Sequence, residues 1–241
     1  MQIQQMFLTP NKYSRPQIKL AKVTKIAVHY VGNPGTTAIN NRNYFESLKD
    51  QISDSTGKYR LNKDGSYMTY KGERVALRWV SSHFVVGLSG EVVQCIPLDE
   101  WSYCTNQANG YSISIECCHP DATGKFTAAT EKSLAELCAY LCKQFKLDPM
   151  KDIIRHYDVT GKLCPQYWVD DPEGIVRFRK LVKEAGEMVE TSRMIVDGKE
   201  VPVERILKNG TNYVKIRDVA AALGLEVGNQ GNVAVLRRKE S

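Results

Sequence analysis

The sequence predicts a mixed α/β domain, in which a central mixed sheet is flanked by helices, followed by a second, small α+β domain. Short apolar runs of strand character alternate with segments of helical spacing between residues 25 and 185. Beyond Gly186 the pattern changes to short strands, an Asp-Gly turn and one short helix. The 241 residues, of which 42% are apolar, are enough for one domain of ordinary size and a small addition.

The first domain, predicted over residues 1–186, opens with a polar lead-in and then a strand at residues 25–31. Thr37 is the expected N-cap of a helix that reaches Leu48. The polar residues 50–78 contain a Lys-Asp-Gly-Ser turn and predict a hairpin excursion that borders a cleft. The remaining elements are expected as strands at 82–87, 91–96 and 112–118 and as helices at 130–145 and after residue 171.

The second domain is predicted over residues 193–241, behind a boundary near residues 186 to 192. A hairpin over 193–203 turns at an Asp-Gly pair. A third strand, a short helix that ends at a glycine and a last strand are expected at 213–216, 217–224 and 233–236.

Charge and cysteine content narrow the classes of partner and compartment. The 33 Lys and Arg against 27 Asp and Glu give a net charge of +6, which favours an anionic partner. No basic run or recognition-helix pattern indicates nucleic-acid binding, and no apolar run is long enough to span a membrane. Residues 1–10 lack the pattern of a secretory signal, and the seven cysteines show no disulfide framework. We therefore expect synthesis in a reducing cytoplasm without a signal peptide.

Two histidines and one cysteine form a candidate metal centre. His29 lies near the C-terminal end of the strand at 25–31, while His156 and Cys164 bracket a short loop after the apolar pair Ile153-Ile154. Neutral imidazole and thiolate are zinc ligands, and three protein ligands with an open fourth position are typical of catalytic zinc. The alternative is that each residue is structural, since lone buried His and Cys are common. Their shared position at or just after strand ends favours the metal site.

Glu116 and Lys162 are the candidate catalytic groups. Glu116 lies in an otherwise apolar strand, where a carboxylate is costly unless it is paired or near a metal, so it is a candidate general base. The alternative is an edge strand whose polar face, with Ser112 and Ser114, meets solvent. Lys162 is a candidate for stabilising an oxyanion, and its alternative is an ordinary exposed loop lysine.

His83 and Trp101 are candidates for contact with a substrate. His83 is either a further ligand or a supporting donor, and its place at the start of a strand favours a supporting or structural role. Trp101, with Tyr103 in the same polar loop, suits a stacking platform for a sugar or peptide. Aromatic loop residues also form small structural clusters, which is the alternative.

Four motifs in this order resemble the zinc-dependent type-2 N-acetylmuramoyl-L-alanine amidases. The similarity covers roughly residues 12 to 185 and is greatest to the Gram-positive phage and prophage branch. The motifs are Val28-His29-Tyr30, Ser82-His83-Phe84, Asn109-x-x-Ser112-Ile113-x-Ile115-Glu116 and His156-x5-Lys162-x-Cys164-Pro165.

The resemblance assigns a role to each motif residue. It implies Zn²⁺ as the cofactor, Glu116 as the acid–base group and Lys162 as the oxyanion stabiliser. Its zinc ligands would be His29, His156 and Cys164. The predicted substrate contacts are His83, Trp101 and Asn109. Two departures are Ser82, where some relatives carry a tyrosine, and residues 52–78, which are longer than the usual connection.

The implied reaction is hydrolysis of the amide between N-acetylmuramic acid and L-alanine in peptidoglycan. The protein would then be an endolysin or autolysin that acts at the bacterial wall after release. Two alternatives are a non-catalytic peptidoglycan-binding protein of the same fold and a zinc peptidase that cuts the stem peptide. Residues 193–241 resemble the small domain named after the copper amine oxidase N-terminus, and we expect wall binding or self-association into a homo-oligomer from them.

Overall fold

A computed structural model describes residues 2–186, 190–208, 210–231 and 233–238. The chain divides into two compact units, Met1–Lys183 and Glu184–Ser241. The predicted domain boundary near residues 186 to 192 includes residues 187–189, which lie outside the described part. Within the described ranges, no helix is both long enough and apolar enough to cross a membrane.

The elements up to Gly186 alternate between strands and helices. The strands are β1 (Ile3–Gln5), β2 (Lys25–Tyr30), β3 (Ile52–Ser53), β4 (Arg60–Leu61), β5 (Thr69–Tyr70), β6 (Glu73–Arg74), β7 (Phe84–Val86), β8 (Val92–Gln94), β9 (Ser112–Cys117) and β10 (Ile153–Arg155). The helices are α1 (Ala38–Ser47), α2 (Ala128–Phe145), α3 (Pro149–Asp152), α4 (His156–Thr160), α5 (Gln166–Asp170) and α6 (Pro172–Gly186).

Six of these strands form one mixed sheet in the order β1-β8-β7-β9-β2-β10. β7 and β8 form an antiparallel hairpin, and the other neighbours run parallel. The inner strands are almost wholly buried, as expected where helices cover both faces of a parallel sheet. This arrangement confirms the predicted mixed α/β class.

The position of β9 in the sheet decides whether Glu116 lies in an edge strand, which the sequence left open. β9 lies between β7 and β2, so Glu116 belongs to an interior strand and not to an edge strand. Ser112 and Ser114 on the same strand are each 1% exposed. The polar face of β9 is therefore buried, and the solvent-facing edge alternative is wrong.

Side-chain hydrogen bonds cap the N-termini of α1 and α2. Thr37 caps α1 as predicted: its hydroxyl accepts from the Asn40 amide, and the Asn40 side chain returns a bond to the Thr37 amide. Thr127 caps α2 in the same way through the Thr130 amide. Both helices therefore begin at residues that the local sequence determines.

Two local features differ from the sequence-based expectation. β1 falls in the stretch expected to be a polar lead-in, and it pairs in parallel with β8 at the sheet edge. An edge strand needs few apolar residues, so its pattern is weak. Residues 156–160 are helical where a loop was expected, and Gly161 closes that helix at φ 75°.

The second unit contains β11 (Glu190–Val196), β12 (Lys199–Lys208), β13 (Thr211–Val214), α7 (Ile216–Ala222), β14 (Leu225–Gln230) and β15 (Val233–Arg238). β11, β12 and β13 form an antiparallel sheet, with the predicted Asp197-Gly198 turn between the first two. β14 and β15 form a separate hairpin, of which only β15 was predicted. The unit is α+β, as expected.

Candidate active site

His29 occupies the C-terminal end of β2, directly opposite Glu116 of β9 in the sheet register. Its side chain is 1% exposed, and its Nε2 lies 2.9 Å from the hydroxyl of Thr105. Its other ring nitrogen, Nδ1, lies 3.7 Å from the sulfur of Cys164. The hydroxyl contact fixes the ring plane and leaves Nδ1 directed at the cysteine.

His156 and Cys164 approach His29 from the segment after β10. α4 begins at His156, and after Gly161 the chain returns so that the Tyr157 amide donates to the Cys164 carbonyl at 3.0 Å. The two imidazole rings meet edge to face, with centroids 4.8 Å apart. One donor atom from each of His29, His156 and Cys164 lies within 4.8 Å of the others.

The chemistry of this donor set fits a metal ion. Burial, then the charges of His156 and Lys162, lowers the pKa of His29 well below its ordinary value, so that imidazole is neutral. Burial, then the Lys162 charge, lowers the pKa of His156 to about 4, and its Nδ1 is buried without a hydrogen-bond partner. Burial raises the pKa of Cys164 to about 12, so its thiolate needs a neighbouring cation. Neutral imidazoles and a thiol of this kind suit zinc.

Glu116 lies beside this donor set with one oxygen bonded and one free. The thiol of Cys104 donates to its Oε1 at 3.5 Å, whereas Oε2 is buried without a partner. Burial is the main cause that raises the pKa of Glu116 to about 7. A carboxyl group with a pKa near neutrality both accepts and releases a proton at physiological pH, as acid–base catalysis requires.

Lys162 is exposed and lies in the segment between His156 and Cys164. Its positive charge acts on the site, because it contributes to lowering the pKa values of both histidines and opposes the rise in the pKa of Glu116. The structure therefore brings the three candidate ligands and Glu116 to one place, and the charge of Lys162 acts on this site.

His83 does not fit the substrate-binding role predicted for it. The ring is completely buried, its Nδ1 accepts from the Ser114 amide at 3.0 Å, and its Nε2 lies 2.9 Å from the Glu100 carbonyl. Both ring nitrogens are thus used within the protein. The histidine ties β9 to the segment at Glu100, which is a structural role.

Trp101 and Asn109 belong to the loop that borders the site. The Trp101 ring packs against Gly110, where an added Cβ would lie 2.9 Å from the ring. The Asn109 side-chain oxygen accepts from the amides of Cys104 and Thr105 at 3.1 and 2.7 Å. Asn109 therefore shapes the loop, and direct contact of either residue with a substrate stays a prediction.

Sequence reasoning missed Cys104 and Thr105. Cys104 contacts Glu116 and Thr105 contacts His29, so both reach the centre from the loop before β9. The only signal was their place in a polar loop rich in Asn and Gln that precedes the Glu116 strand. Nothing local indicates which side chains of such a loop turn inward.

The fold and the site define a mixed α/β protein with a buried two-histidine, one-cysteine donor set beside an acid–base carboxyl group. The family model described as N-acetylmuramoyl-L-alanine amidase matches residues 19–167. The chain belongs to this family.

Curated relatives agree with that assignment. N-acetylmuramoyl-L-alanine amidase CwlL of Bacillus licheniformis is 35% identical over 176 residues, which are 73% of this chain and 45% of that protein. N-acetylmuramoyl-L-alanine amidase BlyA of Bacillus subtilis (strain 168) is 31% identical over 197 residues, covering 73% of this chain and 46% of that protein. The chain thus spans less than half the length of these relatives.

Solved structures share the fold. A mutant endolysin from Bacillus subtilis superposes with a TM-score of 0.56 at 22% identity, covering 75% of this chain and 98% of that one. The solution structure of the PlyG catalytic domain gives a TM-score of 0.56 at 22% identity, with 77% and 96% coverage. The mixed sheet with flanking helices is therefore a fold that these two solved structures share.

Proposed function

We propose that this chain hydrolyses the amide bond between N-acetylmuramic acid and L-alanine in peptidoglycan, with zinc held by His29, His156 and Cys164. The observation that carries the proposal is the free, buried Oε2 of Glu116 beside that donor set. The matching amidase family and the names of the two relatives, both N-acetylmuramoyl-L-alanine amidases, support it. We further propose that the protein acts at the bacterial wall as an endolysin or autolysin.

His29, His156 and Cys164 would hold the zinc ion, which when bound would supply Lewis acidity for the scissile carbonyl and lower the pKa of water. Glu116 takes the proton of the attacking water on Oε2 and later delivers it to the leaving amine of alanine. Cys104 holds Oε1 meanwhile, so the carboxyl group keeps one orientation. Acid–base help of this kind contributes on the order of 10²–10⁴ in rate.

Thr105 orients one of the metal ligands, and Lys162 stabilises charge on the substrate. Thr105 fixes the ring of His29 through Nε2, which keeps Nδ1 free toward Cys164. The positive charge of Lys162 stabilises the negative charge that develops on the carbonyl oxygen. His29 and Cys164 are buried, which strengthens the electrostatic interactions between them.

Digestion of purified peptidoglycan, with and without a chelator, tests the proposal. Mass analysis should find peptides with new amino-terminal alanine and intact glycan, and the chelator should remove the activity. New amino termini on other residues would identify a stem-peptide peptidase instead. Binding to the wall without any soluble product would identify a non-catalytic binding protein.

Two variants separate the acid–base group from the ligands. Glu116→Gln keeps the shape of the side chain, so it should lose at least 10²-fold in rate while retaining one equivalent of zinc. Cys164→Ser should lose both zinc and activity, because it removes the thiolate. Full zinc content with full activity in Cys164→Ser would exclude this cysteine as a ligand.

A further inference from the structure

Residues 52–78 form a small β-rich segment that the proposed reaction does not use. β3 pairs with β4 and β5 pairs with β6, and the three stretches around Arg60, Met68 and Val75 are joined by backbone hydrogen bonds of 2.8 to 2.9 Å. These strands are separate from the six-stranded sheet. The segment is therefore an ordered excursion with a surface of its own.

This segment carries half of the net charge of the chain. It contains six basic and three acidic residues, a net charge of +3 against +6 for all 241 residues. The basic residues are Lys58, Arg60, Lys63, Lys71, Arg74 and Arg78, and the acidic ones are Asp54, Asp64 and Glu73.

The cations of the segment are not neutralised by its acids. Asp54 accepts from the amides of Lys58 and Tyr59, and Asp64 accepts from Ser66, so both carboxylates serve their own turns. In the part of the chain that the structure describes, none of the six basic side chains makes an ion pair. Arg60 is half-buried, and the other five are exposed. Unpaired exposed cations release counterions when a polyanion binds, which is a source of affinity.

Exposed tyrosines lie among these cations. The Arg74 guanidinium lies 3.8 Å from the centroid of the Tyr67 ring, and Tyr67 meets Tyr59 edge to face at 6.2 Å. Lys71 lies 5.5 Å from the ring of Tyr70, which is 69% exposed. Stacking holds the guanidinium flat and leaves its N–H edge for an anion, while a tyrosine face suits the apolar face of a sugar.

The segment is anchored at its base, and the chain just after it contacts the loop that borders the candidate active site. Leu77 packs in a buried cluster with Tyr13 and Leu48. Four residues after Leu77, Ser81 exchanges two hydrogen bonds with Tyr103, each 3.0 Å long. Tyr103 directly precedes Cys104, the residue that contacts Glu116. A polymer held on the segment would thus lie close to the loop that borders the site.

We propose that residues 52–78 bind an anionic glycopolymer of the bacterial wall, a chain that carries sugar rings and repeated phosphate groups. Unpaired cations match the phosphates and the tyrosines match the sugars. The choice of a wall polymer over other polyanions rests on the proposed function. The segment would then hold the enzyme on its substrate independently of the cleft.

The test is a double charge reversal in the 241-residue chain, Lys71→Glu with Arg74→Glu, made in the Glu116→Gln background so that walls are not digested. Co-sedimentation with purified Gram-positive walls should show binding reduced ~10-fold or more, with a weaker dependence on salt between 50 and 200 mM. The matched control is Lys180→Glu with Lys183→Glu, two exposed lysines of α6 with the same change in charge. This control should bind as the parent does.

Two further arms identify the partner. Walls stripped of their phosphate polymers by acid should bind the parent protein as weakly as native walls bind the double reversal. On DNA-cellulose the parent should be retained more weakly than on native walls at equal salt. Three results would each overturn the proposal. They are wall binding by the double reversal that equals that of the parent, parent binding to stripped walls that equals its binding to native walls, and stronger retention of the parent on DNA-cellulose than on native walls.

Hydrolysis assays distinguish a failure of the proposed reaction from a failure of the proposed binding surface. In the Glu116-containing chain, the double reversal should hydrolyse a small soluble muramyl-peptide at the parental rate, since the two substituted side chains lie outside the site. Absence of amide cleavage in the parent, with wall binding intact, would refute the reaction and leave the binding surface standing. Circular dichroism melts confirm that each variant is folded.

Discussion

At the scale of single residues, Cys104 decides how Glu116 presents its two oxygens. Burial, then the charge of Glu116, raises the pKa of the Cys104 thiol well above its ordinary value, so the thiol stays protonated and donates. It binds Oε1 and leaves Oε2 free. A glutamate with two free oxygens would rotate more easily and spend less time in the productive orientation.

Replacement of Cys104 tests this orienting role. Cys104→Ala should lower kcat about 10-fold, because a hydrogen bond to a charged group contributes about 1.5 kcal/mol. KM and zinc content should not change. Cys104→Ser restores a donor and should recover most of the rate, whereas a merely space-filling role would predict that serine and alanine behave alike.

At the scale of elements, the turn between β7 and β8 packs directly on α2. Gly90 in this turn has φ +85°, and an added Cβ would lie 2.6 Å from the Ser133 hydroxyl and 2.9 Å from the Ala129 carbonyl oxygen. The helix therefore approaches the hairpin as closely as a glycine permits. This contact sets the distance between α2 and the sheet.

Gly90→Ala should lower the free energy of unfolding by about 2–4 kcal/mol, from left-handed backbone strain and the clash with α2. Gly65→Ala is the matched control, since Gly65 also has φ +85° but nothing within 4 Å of its Cβ position. Its cost should be about 1–2 kcal/mol, from strain alone. Urea unfolding of both variants measures the difference, and equal costs would exclude the packing contribution.

A charge pair joins β2 to the segment before β10. Lys25 lies 2.7 Å from Asp152, which also accepts from the Asp148 amide at 2.8 Å. Burial of Asp152 opposes its ionisation, but the hydrogen bonds from Lys25 and the Asp148 amide outweigh burial and lower its pKa. A carboxyl pKa that is lower in the folded state stabilises the protein above pH ~4 and loses that contribution as the pH falls.

Lys25→Met should therefore reduce stability at pH 7 by about 0.5–1 kcal/mol. The loss should be smaller at pH 3, because protonation of Asp152 in the unfolded chain has by then removed part of the contribution. Urea unfolding at the two pH values checks the sign. Lys180→Met, at an exposed position of α6, should show no such difference between the two pH values. A cost that is the same at pH 3 and pH 7 would show that the pair is not responsible.

At the scale of the whole molecule, the two units differ in how much apolar surface they bury. The first unit buries the side chains of its sheet and of α2, among many others. In the second unit, among the side chains that the structure describes, Val203 and Ala220 are the buried hydrophobic ones, while Ile195 and Val233 are 71% and 66% exposed. Each buried aliphatic side chain contributes about 1.5–3 kcal/mol, so the second unit has the weaker core.

We therefore expect two transitions in differential calorimetry of the full chain, with the second unit unfolding first. A chain that ends at Gly186 should keep the upper transition and hydrolyse soluble substrate, as a self-contained catalytic domain would. A single transition that moves as a whole on truncation would contradict this. The predicted wall binding or self-association of residues 193–241 stays a prediction, and sedimentation of the full and shortened chains measures the association.

The sequence by itself determined the fold class and the set of reactive side chains. Apolar runs that end in His29 and Glu116 are local patterns, and strands that run parallel bring such ends to one edge of a sheet. The cap at Thr37 and the Asp197-Gly198 turn are equally local, and both were predicted. His156, Lys162 and Cys164 fall within one short stretch, which is a weak signal alone and becomes specific only together with the His29 and Glu116 motifs.

Only the tertiary structure decided which donors remain free. It placed β9 inside the sheet, occupied both nitrogens of His83, and turned Cys104 and Thr105 toward Glu116 and His29. Each of these outcomes depends on a partner far away in the chain or on the path of an irregular loop. Periodicity reports whether a residue is buried, but the hydrogen bonds of a buried polar group depend on which distant segments pack against it.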